Sequence, residues 1–133
     1  MSDEVLVSPF DTAYSAALRF VMELAAWIAG PWAVAELTGN GWAAAPAAIV
    51  LVALPAVFNT PGDKKQTGVP TPGPARILTE LVLFAVAVAA AWYVAPTWIA
   101  APLTIAAVAA IATGWPRYRW LARGAPAATD RGV

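Results

Sequence analysis

Apolar residues fill four stretches of the chain, and short polar breaks separate them. The stretches run from about Ser8 to Leu37, from Trp42 to Phe58, from Pro74 to Val94, and from Thr97 or Ala101 to Trp115. Lengths of this order suit membrane-spanning helices, with the second, at about 17 residues, at the short end. Ser8 is placed to cap the first helix, with Pro9 at its first position and Asp11 as a capping-box acid. Gly30-Pro31 predicts a kink or an early stop, because proline removes a backbone hydrogen bond. Thr38-Gly39-Asn40-Gly41 reads as a tight turn and Ala95-Pro96-Thr97 as a short connection. Pro46 and Pro102 fall near the starts of their segments, where a missing N–H costs little, whereas Pro55 is internal. From Asn59 to Pro74 four prolines and three glycines exclude regular helix. Pro116 ends the last segment, and a basic tail, 117–133, follows.

Composition strengthens the membrane reading. The 133 residues are 60% hydrophobic and 12% charged, with a mean hydropathy of +0.65. Soluble domains are about 45–50% apolar and about 25% charged. A soluble fold this short has no place to hide so much apolar surface. Cysteine and histidine are both absent, which excludes disulfides, thiolate and imidazole chemistry and the usual zinc or haem ligands. No cofactor is expected. The net charge is zero, so nothing draws the chain to nucleic acid. Met1-Ser2-Asp3-Glu4 is acidic, unlike the basic start of a signal peptide, so the first segment is expected to stay in the mature protein.

The eight basic residues set the orientation. Arg19, Lys64, Lys65, Arg76, Arg117, Arg119, Arg123 and Arg131 all lie toward one set of segment ends, and the breaks 38–41 and 95–97 carry none. The positive-inside rule places both termini and the middle loop in the cytoplasm. Trp32, Trp42, Trp92 and Trp98 group at the outer ends, and Trp115 and Trp120 at the inner end, as anchors in two aromatic belts. The alanine-rich, lysine-poor usage fits a GC-rich bacterial genome, and the expected location is the bacterial inner membrane.

Charges within the apolar segments carry the most chemistry. Arg19-x3-Glu23-Leu24 returns fifty-seven positions later as Arg76-x3-Glu80-Leu81. Arg and Glu four apart share one helix face. Each charge at mid-membrane costs about 2.5–3.5 kcal/mol on insertion scales, so it needs a partner or a task. Trp42-x3-Pro46 also returns, as Trp98-x3-Pro102. The expected fold is therefore all-α: four transmembrane helices in two tandem hairpin repeats, 8–59 and 74–116, joined by a cytoplasmic loop, 60–73. Two hairpins of one orientation imply a pseudo-two-fold axis along the membrane normal and alanine-rich helix contacts. Across that axis Arg19 would meet Glu80, and Arg76 would meet Glu23; within one helix each Arg can also meet its own Glu. Such a cluster either fixes helix register or binds a polar ligand or moves an ion. A third reading lets the arginines snorkel to the interface. Glu36 reads as a solvated residue near the outer interface, and Lys64-Lys65 as a topology signal. The 117–123 stretch reads as a stop signal or a surface segment, with Tyr118 and Trp120 at headgroup depth.

Leu18-Arg19-Phe20-x-x-Glu23-Leu24, Phe58-x-x-Pro61 and Pro74-x-Arg76-x3-Glu80-x3-Phe84 resemble the YrdB-like family of small four-span bacterial membrane proteins of unassigned function. The resemblance covers roughly residues 14 to 115 and implies a fold but no substrate or reaction. The chain differs in its acidic N-terminus and basic tail. The leading expectation is a non-enzymatic membrane protein: an accessory or scaffold subunit, or a small-ligand binding protein, with a partner membrane protein or a second copy beside it in the bilayer. A small transporter coupling through Glu23 and Glu80 is one alternative, and an intramembrane enzyme using both carboxylates as acid and base is another. Arg19, one turn from Glu23, argues against cation exchange there.

Overall fold

A computed structural model describes residues 12–59 and 69–123. Helix α1 spans Ala13–Thr38, α2 Ala44–Val57, α3 Gly73–Val94, α4 Thr97–Thr113 and α5 Trp115–Ala122. A single 3-10 turn, Gly41–Ala43, leads into α2. Phe58–Asn59 pairs in parallel with Val69–Pro70, which brings the two ends of the middle loop together.

Two helices, α1 and α3, are long and apolar enough to cross a membrane. The pair α4 and α5 passes the same test together, although it is bent by 55°, and the segment Gly41–Val57 is apolar but shorter. The expected turn after α1 is present. Gly39 closes the helix at φ 67°, a left-handed conformation that glycine adopts without steric cost, and its N–H returns to the Ala35 carbonyl.

Helices α1 and α3 form the centre. Met22 and Ala26 of α1 pack with Leu83, Phe84 and Ala87 of α3 and with Ala107 and Ala110 of α4. Farther along, Ala29 and Ala33 meet Ala90 and Val94. Contacts advance in step on both helices, so α1 and α3 run parallel. Their buried positions recur every three or four residues, and alanine is the commonest residue among them, which permits close approach without bulky side chains. Helix α4 lies against both central helices, while α2 rests mainly on α1. At Gly30 a Cβ would come within 2.6 Å of Leu51 Cδ1, so this glycine sets how closely α2 approaches.

Three expectations change. Helix α1 begins at Ala13 with Thr12 as its cap, whose hydroxyl accepts from the Ser15 N–H at 3.1 Å; Ser8, Pro9 and Asp11 lie outside the described residues. Pro31 does not end α1, which continues to Thr38. The stretch after Pro116 is not a free tail. Trp115–Ala122 is a helix whose Arg117, Tyr118 and Leu121 are buried. Proline at the start of a helix loses no hydrogen bond, so Pro116 opens α5 as readily as it closes α4.

The internal proline of α2 is compensated from α1. Pro55 has no N–H for the Leu51 carbonyl one turn back, and the Trp27 indole donates to that carbonyl at 3.0 Å. One tryptophan thus satisfies the group that proline leaves open and ties α1 to α2.

Candidate functional site

The Arg76–Glu80 pair sits on the first turns of α3. Its spacing brings Arg76 Nε within 3.2 Å of Glu80 Oε2, and both side chains are shut from solvent. Arg76 also reaches the end of α2. Its NH1 donates to the Phe58 carbonyl at 3.2 Å and, at 3.4 Å, to that of Pro55. The last carbonyls of a helix lack intrahelical donors and carry partial negative charge, so a guanidinium there caps the helix electrically and geometrically.

Glu80 has a further pair of partners, both from α5. Arg117 NH1 donates to Oε1 at 3.0 Å, and its NH2 donates to Oε2 at 2.6 Å, a two-pronged pairing. The Tyr118 hydroxyl donates to Oε1 at 3.1 Å. Burial first, and then the adjacent Glu80 carboxylate, push the Tyr118 phenol far above its usual 10.0, so it remains a hydrogen donor. The carboxylate therefore accepts three hydrogen bonds, and Arg76 adds an ion pair.

Packing holds α5 in place. Leu121 and Tyr118 form a small buried cluster, bordered by Ile77, Ile111 and Trp120. Gly73, at the start of α3, lies so close to α5 that a Cβ would fall 1.7 Å from the Leu121 carbonyl oxygen. Only a residue with no side chain lets the two backbones meet this way.

The sequence-predicted charges gather at one end of the bundle. Glu23 is buried on α1, and half-buried Arg19 lies within electrostatic reach of both Glu80 and Tyr118. Arg117 and Tyr118 belong to the same cluster, whereas the sequence pattern reads them as part of a stop signal or a surface segment. Among the tryptophans, Trp32, Trp42, Trp92, Trp98 and Trp115 are exposed, while Trp120 is half-buried against the α5 cluster. The Trp92 indole donates to the Thr104 hydroxyl at 2.9 Å, joining α3 to α4. Glu36 is exposed, in a shallow recess with Trp32, Tyr93 and Val94.

A family model described as a protein of unknown function (DUF2568) matches residues 17–110. The chain belongs to that family. No curated protein and no solved structure matches it. The family match takes in Arg19, Glu23, Arg76 and Glu80 and ends before Arg117 and Tyr118. The α5 clasp on Glu80 thus lies outside the matched residues.

Proposed function

We propose that this DUF2568 chain is a four-span protein of the bacterial inner membrane, with both termini cytoplasmic, and that it serves as a non-enzymatic accessory or scaffold subunit. The single observation that carries the non-catalytic reading is the saturation of Glu80. A coupling or catalytic carboxylate needs an oxygen available to a proton or substrate. Here both oxygens are occupied by two arginines and a phenol. The cluster acts as an internal lock that joins α2, α3 and α5.

Several features support the membrane setting. Ile28, Ile49, Leu78, Ile105 and Val108 are each more than 60% exposed, and in α2 only Pro55 is buried. A surface so apolar suits lipid rather than water. Helices α2 and α4, of 14 and 17 residues, extend roughly 21 and 26 Å, short of a hydrocarbon core of about 30 Å. Local thinning of the bilayer and the exposed Trp42 and Trp98 at their starts would accommodate them. Helix α5 then lies at the inner interface. The repeat is supported by positions fifty-seven apart that are buried in both halves: Glu23 and Glu80, Ala26 and Leu83, Gly30 and Ala87, Ala33 and Ala90. The motifs further align the chain with the YrdB-like four-span proteins, a narrower assignment that we adopt.

The test is isolation of the tagged full chain from native membranes in mild detergent, alongside uptake assays in proteoliposomes. A stable complex with another membrane protein, and no proton-driven uptake, is expected. Uptake abolished by Glu80→Gln with folding intact would overturn the scaffold reading in favour of transport.

A further inference from the structure

A groove opens beside the lock, on the outer side of α5. It encloses about 310 Å³ between α3, α4 and α5. Ile77 and Leu81 form one wall, Ile111 another, and Trp115, Tyr118 and Ala122 the third, with Arg119 as the charged residue on the lining. Arg117 and Arg119 of the same short helix therefore have opposite assignments. Arg117 is buried on Glu80, whereas Arg119 is exposed. Exposed Trp115 stands at the same end. The groove's surface is wholly apolar, so Arg119 lines it through its aliphatic stem.

We propose that this groove is a binding site for an anionic phospholipid of the inner leaflet. The proposal rests on the membrane placement given above. An acyl chain lies along Ile77, Leu81 and Ile111, and the lipid phosphate pairs with the Arg119 guanidinium. Charge complementarity selects this occupant. An apolar trough alone would accept any lipid tail, but a cation at its mouth, at the end where the basic residues gather, favours a negative headgroup. Tryptophan at headgroup depth adds an amphipathic ring that suits the boundary between tail and phosphate. The site also couples lipid to the lock, because Tyr118 lines the groove while its hydroxyl donates to Glu80, and Arg117 of the same helix grips that carboxylate.

Native mass spectrometry of the full chain in detergent tests this, with phosphatidylglycerol and phosphatidylcholine of identical acyl chains as probes. Phosphatidylglycerol is expected to bind saturably and about fivefold more tightly, the value of one basic residue near the surface. Arg119→Gln should abolish the preference while leaving phosphatidylcholine unaffected. Arg123→Gln, which lies outside the groove, should keep the preference. Ala122→Phe, which fills the trough, should weaken both lipids. Equal binding of the two lipids, or an equal loss from Arg119→Gln and Arg123→Gln, would overturn the site. Displacement of the lipid by inorganic phosphate alone would overturn it too, in favour of a free-anion site. Recovery of the chain from membranes only with detergent supports the membrane reading independently, so failure of the lipid site is distinguishable from failure of that reading.

Discussion

Arg117 reaches back across thirty-seven residues to grip the Glu80 carboxylate with both terminal nitrogens. The contact joins a short helix to the start of a long apolar one. Arg76 takes the remaining side of the same carboxylate and extends to the carbonyl end of α2. Three separate parts of the chain are held by one acid, and these partners offset the cost of burying its charge.

The phenol in that cluster has its own signature. The folded state holds the Tyr118 pKa above the unfolded value of about 10. Its contribution to stability is therefore complete below pH 10 and lost as pH rises from there toward the folded value. Thermal melts of the detergent-solubilised chain should fall in this range, and Tyr118→Phe should flatten the slope. Below pH 10 that variant should cost about 1 kcal/mol, one hydrogen bond to a charged group being worth roughly 1.5–3 before repacking.

Trp27 and Pro55 are expected to be coupled. Trp27→Phe keeps the ring but removes the donor for the Leu51 carbonyl, at a cost of about 1–3 kcal/mol. Pro55→Ala restores a backbone N–H to that carbonyl, so the Trp27→Phe cost should largely vanish in the double variant. Additive losses across the cycle would show that the indole bond is incidental.

Gly73→Ala should part α3 from α5. The clash is with backbone, which cannot rotate away, and overpacking of this kind costs about 1–3 kcal/mol or more. Because it also separates Arg117 from Glu80, its effect should overlap with that of Arg117→Ala. The combined variant should melt well above the value expected from adding the two losses.

The lock was only partly legible in the sequence. Arg19, Glu23, Arg76 and Glu80 stand out because charges in apolar helices are rare and their i, i+4 spacing is local. Arg117 could not be read in this way. Its partner is thirty-seven residues distant, and fifty-seven positions earlier stands Thr60, so repeat logic offers no counterpart. The eight residues of α5 are too few and too polar to give an apolar signal, and Pro116 reads equally as a stop or a start. Trp27 was missed for a related reason. Its role appears only once a proline on another helix leaves a carbonyl open beside it. The long helices, the turn at Gly39 and the alanine seam follow from local pattern, and these the structure bears out.

Orientation is open to a direct check. With the cytoplasmic loop and termini proposed here, Lys64→Cys should be shielded from an impermeant thiol reagent in intact cells, and Asn40→Cys should react. The reverse pattern would invert the topology and move the Glu80 cluster to the outer leaflet.

The most direct test of the account is a double-mutant cycle on Arg117 and Glu80, read as thermal stability in detergent. Arg117→Ala should cost about 3–5 kcal/mol, because it removes the two-pronged partner of a buried carboxylate. Glu80→Gln in the same chain should return a substantial part of that loss, giving a coupling energy above about 1 kcal/mol. Additive losses, with Arg117→Ala costing less than about 0.5 kcal/mol, would mean that Arg117 behaves as a surface arginine and that no lock exists.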